Sequence, residues 1–129
     1  MLDLGYLNKL INDKKSKEAK DIVDYAKEQF PDFEKAVEHA AELGRISGPF
    51  KLWLPENIER ITDDDCLLAF TTLKEAYQPL DIQFSCRVVT YETNYNTYRK
   101  YLDLWFMIPT SKDEAEEYGY GNRVVWEVE

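Results

Sequence analysis

The sequence predicts an α+β fold: N-terminal helices followed by an antiparallel sheet in the order β-α-β-β-α-β. Three observations predict it. Apolar residues recur at helical spacing up to Arg45, and strand-like alternation dominates after Phe50. The change falls at Arg45-Ile46-Ser47-Gly48-Pro49, a run that breaks both patterns. Two long alternating runs flank the turn-like Thr93-Asn94-Tyr95-Asn96, which reads as a hairpin.

The elements follow in order. Leu4, Leu7, Leu10 and Ile11 predict a short helix over 3–12. Lys14-Lys15-Ser16 breaks that pattern, and Ser16 is the expected N-cap of a second helix over 17–30, with Ala19, Ile22, Val23, Ala26 and Phe30 on one face. Pro31 interrupts, and Asp32 is the expected cap of a third helix that stops at Gly44. Phe50 to Leu54 is the first strand. Thr62 or Asp63 caps a helix from about residue 64 to Tyr77. Residues 81–92 and 98–108 form the hairpin. Ser111-x-x-Glu114 is a capping box opening a short helix to Tyr118, and residues 123–128 form the last strand.

From residue 50 onward this order is the ferredoxin-like one. It places the strand of residues 81–92 at a sheet edge, free to pair with a second copy of the chain. It also gives the sheet a second face bearing Trp53, Val89, Tyr91, Tyr101, Asp103, Trp105 and Met107. That face is too apolar to be simply wet, and the N-terminal helices are the expected cover. With 129 residues the chain is read as one domain, a helical segment 1–45 and a sheet segment 50–129.

Charge narrows the function. The net charge is −9, divided as −2 over residues 1–49 and −7 over 50–129. Tracking nucleic-acid phosphates requires the opposite sign, so direct nucleic-acid binding is not expected. The RNA-recognition use of a ferredoxin-like sheet also lacks its glycine-containing third-strand motif here, and Asp103 sits on the face that would bind bases. No G-x-G-x-x-G, phosphate-loop or G-x-S-x-G motif occurs. The lone His39 has no local nucleophile or orienting acid. Asp63-Asp64-Asp65 lacks the spacing of a calcium loop and reads as first-turn charge on a helix. Cys66 and Cys86 fall at apolar-periodic positions and read as buried thiols of a reducing compartment, with a disulfide between them left open by spacing. No cofactor or metal is expected. No apolar run is long enough to cross a membrane and no secretory signal opens the chain, so the expected location is cytoplasmic.

The expectation that remains is a non-enzymatic, acidic binding or inhibitor protein of the immunity, antitoxin or phage-inhibitor type. It would occlude a basic surface of a partner such as a nucleic-acid-processing enzyme or a toxin. The expected acidic contacts are Asp113, Glu114, Glu116 and Glu117, then Asp63, Asp64 and Asp65. The expected aromatic anchors are Tyr95, Tyr98 and Tyr101. Two alternatives are a structural or assembly protein that self-associates through the 81–92 edge strand, as in a homodimer, and a small-ligand binder or enzyme using the aromatic sheet face.

Overall fold

A computed structural model describes residues 3–56, 58, 60–92, 98–109 and 123–126, with positions 91, 92, 98 and 123–126 described by backbone alone. The fold is α+β. Its elements are α1 (Leu4–Glu28), α2 (Phe30–Glu42), β1 (Ser47–Trp53), α3 (Asp63–Ala76), β2 (Gln83–Glu92), β3 (Tyr98–Met107) and β4 (Arg123–Trp126). The expected helix over 111–118 lies outside the described residues.

α1 is one continuous helix of 25 residues, where the sequence pattern suggested two. Lys14 and Lys15 are good helix formers, and Lys14 reaches Glu18 one turn on at 3.7 Å. Ser16 is exposed, so its hydroxyl is satisfied by solvent and starts no new helix. The N-cap is Asp3, whose carboxylate accepts the Gly5 amide at 3.2 Å. The break comes at Gln29, because Pro31 has no N–H to continue the ladder. Pro31 and Asp32 then occupy the first turn of α2, so the N-cap is Gln29 and not Asp32. α2 stops just before Gly44, whose φ of +73° lets the Arg45 amide turn back to the Ala40 carbonyl at 2.8 Å. Thr62 caps α3 in a reciprocal box with Asp65.

The sheet order is β1-β3-β2-β4. β3 pairs antiparallel with both β1 and β2, and β4 adds parallel to β2 over Ser85–Val88. The ferredoxin-like arrangement, with its fourth strand beside β1, is therefore not the one formed. β3 ends at Met107, opposite the start of β2 at Gln83, and β4 begins at Arg123 opposite Ser85, so the connection returns the chain to the same end of the sheet. A fourth strand antiparallel to β1 would have to begin at the opposite end. The chain instead re-enters near where it left and lines up with β2. Two expectations fall with it: β2 is not the free edge along Ser85–Val88, and β1 is an edge.

All three helices pack on one face of the sheet. A single core joins Ile22 and Ala26 of α1, Phe33 and Ala40 of α2, and Cys66, Ala69, Phe70 and Leu73 of α3. It meets Leu52, Phe84, Cys86, Val88, Leu102, Leu104 and Phe106 of the sheet. The N-terminal helices thus do not cover the second face, as the sequence suggested. Phe33 decides this, because its ring lies 5.3–5.7 Å from those of Phe50, Phe84 and Phe106, all on the α3 side. On the second face Val89, Tyr101 and Met107 are buried, and Trp105 is exposed.

The bend between α1 and α2 is tied to β1. The Gln29 side chain accepts the Trp53 amide at 2.7 Å and donates to the Trp53 carbonyl at 2.8 Å and to the Tyr25 carbonyl at 3.0 Å. One side-chain amide thereby satisfies two half-buried backbone groups of the sheet.

Replacing Gln29 with Ala leaves those groups unpaired and should lower stability by about 1–3 kcal/mol in urea unfolding. A loss near zero would show that solvent serves them equally well. Gly48→Ala should be as costly, because its new methyl would lie 2.9 Å from the core ring of Phe106. Relieving that overlap takes about 1–3 kcal/mol, and an unchanged melting temperature would mean the ring can shift freely.

Candidate acidic recognition surface

The sequence-based candidates separate in the structure. Asp113, Glu114, Glu116, Glu117 and Tyr95 lie outside the described residues, and Tyr98 is described by backbone only. Asp63 and Asp64 are exposed in the first turn of α3, where the helix dipole favours them. Asp65 is partly buried. Its carboxylate accepts the Thr62 amide at 2.9 Å, while the Thr62 hydroxyl accepts the Asp65 amide at 3.2 Å. Asp65 is thus committed to the helix start. Tyr101 is buried at 9% exposure, its ring 4.9 Å from that of Trp53 and the Lys51 ammonium 4.9 Å from its centroid. It packs within the sheet and presents little surface.

A group the sequence reading passed over stands out instead. Asp21, Asp24 and Glu28 recur at helical spacing on α1 and, with Tyr25 and Pro55, line a cleft of about 270 Å³. None of the three carboxylates has an ion pair with a described residue. Their spacing is visible in the sequence, where Lys20 and Lys27 interleave with them, but no linear pattern shows that they share a cleft.

Beside this cleft, Arg99 holds α1 to the sheet. Its guanidinium lies 4.1 Å above the Trp53 ring, donates to the Tyr25 hydroxyl at 3.1 Å and pairs with Glu56 at 2.9 Å. The next residue, Lys100, donates to the Ile61 carbonyl at 2.9 Å, which fixes the approach to α3. Asp21, Asp24, Glu28, Glu56, Asp63 and Asp64 therefore gather at the end of the sheet where β1 finishes and β3 begins. Arg99 engages only Glu56 among them.

The chain matches no family model, no curated protein and no solved structure.

Other groups sort by their surroundings. On the second face, Lys51, Asp103 and Arg87 form one cross-strand row, with Arg87 and Asp103 paired at 2.9 Å. His39 is exposed on α2. Among the described residues no group of three or more His, Cys, Asp or Glu side chains is arranged to hold a metal ion. No helix among them is long and apolar enough to cross a membrane. A second hollow, of about 310 Å³, lies between α2 and the end of α3. There the Tyr77 hydroxyl donates to the Glu34 carboxylate at 3.2 Å. Burial, and then the Glu34 charge and hydrogen bond, push the Tyr77 phenol up to about 12.

Cys66 and Cys86 are free and buried. Burial raises the Cys66 thiol to about 11, opposed in part by Lys100. Burial and the neighbouring Cys66 raise Cys86 to about 12. Thiols held protonated in this way are poor nucleophiles and serve as small apolar core residues.

These shifts set a pH dependence. Unfolded thiols ionise near their ordinary value of 9.0, well before the folded ones. Their contribution to stability is complete below pH 9 and is lost as pH rises from about 9 to about 12. Melting temperature should fall across that window. A Cys66→Ala, Cys86→Ala variant should start lower and fall less steeply, with Tyr77 still contributing. An equal slope in both proteins would show that the thiols are not the groups responsible.

Proposed function

We propose that this protein is an acidic protein-binding module that acts by occluding a basic surface of its partner, in the manner of an inhibitor. The observation that carries this reading is the Asp21–Asp24–Glu28 cleft, whose carboxylates form no ion pair with a described residue. A row of carboxylates at helical spacing around a tyrosine and a proline suits the heads of Lys or Arg side chains while their stems lie on the apolar ring. Asp63 and Asp64 extend the same charge along that end of the molecule. Asp113, Glu114, Glu116 and Glu117, with Tyr95 and Tyr98, belong to the same proposal as further contacts. A partner whose lysines and arginines normally hold phosphates would lose them to these carboxylates. Charge of this kind steers encounter and fixes register more than it adds affinity, so aromatic contacts at the same end are part of the reading.

The cleft is anchored in the free protein. Arg99 holds Tyr25, and Gln29 pins the end of α1 to Trp53, so part of the cost of ordering the helix is met before binding. The reading does not require the 81–92 strand as a sticky edge, since β4 occupies part of it.

Affinity capture with the tagged chain, run beside an Asp24→Lys, Glu28→Lys variant, tests the proposal. The wild-type chain should retain a basic partner at low salt and release it at high salt. The variant should bind the same partner at least about tenfold more weakly and with a shallower salt dependence. Equal retention by the two proteins, or a captured partner whose binding ignores salt, would overturn it.

A further inference from the structure

The first four turns of α1 are unlike the rest of the molecule. From Leu4 to Lys17 every side chain is exposed except Leu7, which is half-buried. The buried positions of α1, Ile22 and Ala26, come only near its C-terminal end. α1 is eleven residues longer than α3, the helix it packs against, or about 16 Å at 1.5 Å per residue. Yet this arm is amphipathic. Leu4, Leu7 and Ile11 fall on one line of the helix, with Tyr6 and Leu10 beside it, and Leu4, Tyr6, Leu10 and Ile11 are 47–73% exposed. An apolar stripe of this size on a projecting helix marks a contact surface.

The charge of the arm is also inverted. Residues 3–17 hold four lysines and two aspartates, net +2, in a chain of net −9. The remainder of the chain therefore carries −11. Lys15 and Lys17 flank the apolar stripe on either side.

The body has a hollow of matching character. It lies between α2 and the end of α3, is floored by Phe33, Val37, Tyr77 and Ile82, and carries the carboxylates of Glu34 and Glu38. Leu80, 61% exposed, extends its apolar surface. An apolar floor with acidic neighbours fits a helix that is apolar along one line and basic at its flanks.

We propose that the N-terminal arm of α1 docks in the α2–α3 hollow of a second copy of the chain, giving a reciprocal dimer. Charge decides among occupants. Two arms packed together would set lysine against lysine at +2 each, whereas arm against hollow pairs those lysines with Glu34 and Glu38. Exchange of one arm in each direction closes the assembly at two copies and leaves no open end. The Asp21–Asp24–Glu28 cleft takes no part in it, so the dimer and the partner-binding reading stand or fall separately.

Mass by light scattering and sedimentation, over about two decades of protein concentration, reads the assembly directly. The wild-type chain should pass from monomer to dimer. An arm variant, Lys15→Glu with Lys17→Glu, and a hollow variant, Glu34→Lys with Glu38→Lys, should each dimerise at least about tenfold more weakly. An equimolar mixture of the two should regain the dimer, because both contacts in the mixed pair are again complementary. Leu80→Asn weakens the hollow without altering the Glu34–Tyr77 contact, and circular dichroism confirms that each variant is folded. A strictly monomeric wild type would overturn the proposal. So would a dimer lost in the arm variant but kept in the folded hollow variants, which would mean arm-to-arm pairing.

Discussion

The architecture depends on one aromatic ring. Phe33 touches the rings of Phe50 on β1, Phe84 on β2, Phe106 on β3 and Tyr77 at the end of α3. It is wholly buried, and it stands one turn beyond the break between α1 and α2. Pro31 creates that break, and the break aims Phe33 down at the sheet while Ile22 and Ala26 of α1 meet α3. Three helices and three strands thus share a single interior. The contacts with Phe50 and Phe106 are edge-to-face and those with Tyr77 and Phe84 are tilted, which orients the rings as well as burying them.

That constraint explains where the sequence was legible. The capping box at Thr62, the stop at Gly44 and the hairpin strands are written in a few neighbouring residues, and local chemistry suffices for them. The alternation in β3 also separated Leu102, Leu104 and Phe106 from Tyr101, Asp103 and Trp105 as they are found. The layer that α1 and α2 join was not legible, because amphipathic helices carry an apolar stripe without naming the sheet face it meets. The end of the sheet at which β4 enters was equally invisible, since the alternation within a strand does not name the neighbour it pairs with. Lys14-Lys15-Ser16 misled for a related reason: a polar stretch resembles a break when the helix has no core to face at that level.

The candidate site divides in the same way. Asp63 and Asp64 were singled out for their density, and they are exposed. Asp65, alike in sequence, is spent on its own helix. Asp21, Asp24 and Glu28 drew no attention because nothing in a linear pattern brings Pro55 beside them. Tyr101 looked like an anchor because tyrosines cluster near the hairpin, but its place opposite Trp53 in the register buries it.

The Gln29 clasp on Trp53 has a consequence for how this protein meets others. The Trp53 backbone groups point away from β3, so Lys51, Pro49 and Ser47 point the same way by alternation. Proline has no amide to offer there, and the Trp53 pair is already occupied by a side chain. An incoming strand finds a ladder cut short at the Trp53 end and interrupted at Pro49, so β1 is a poorer template for sheet extension than an unbroken edge. A protein recognised at the Trp53 end has to be read through side chains, one shape and one charge at a time.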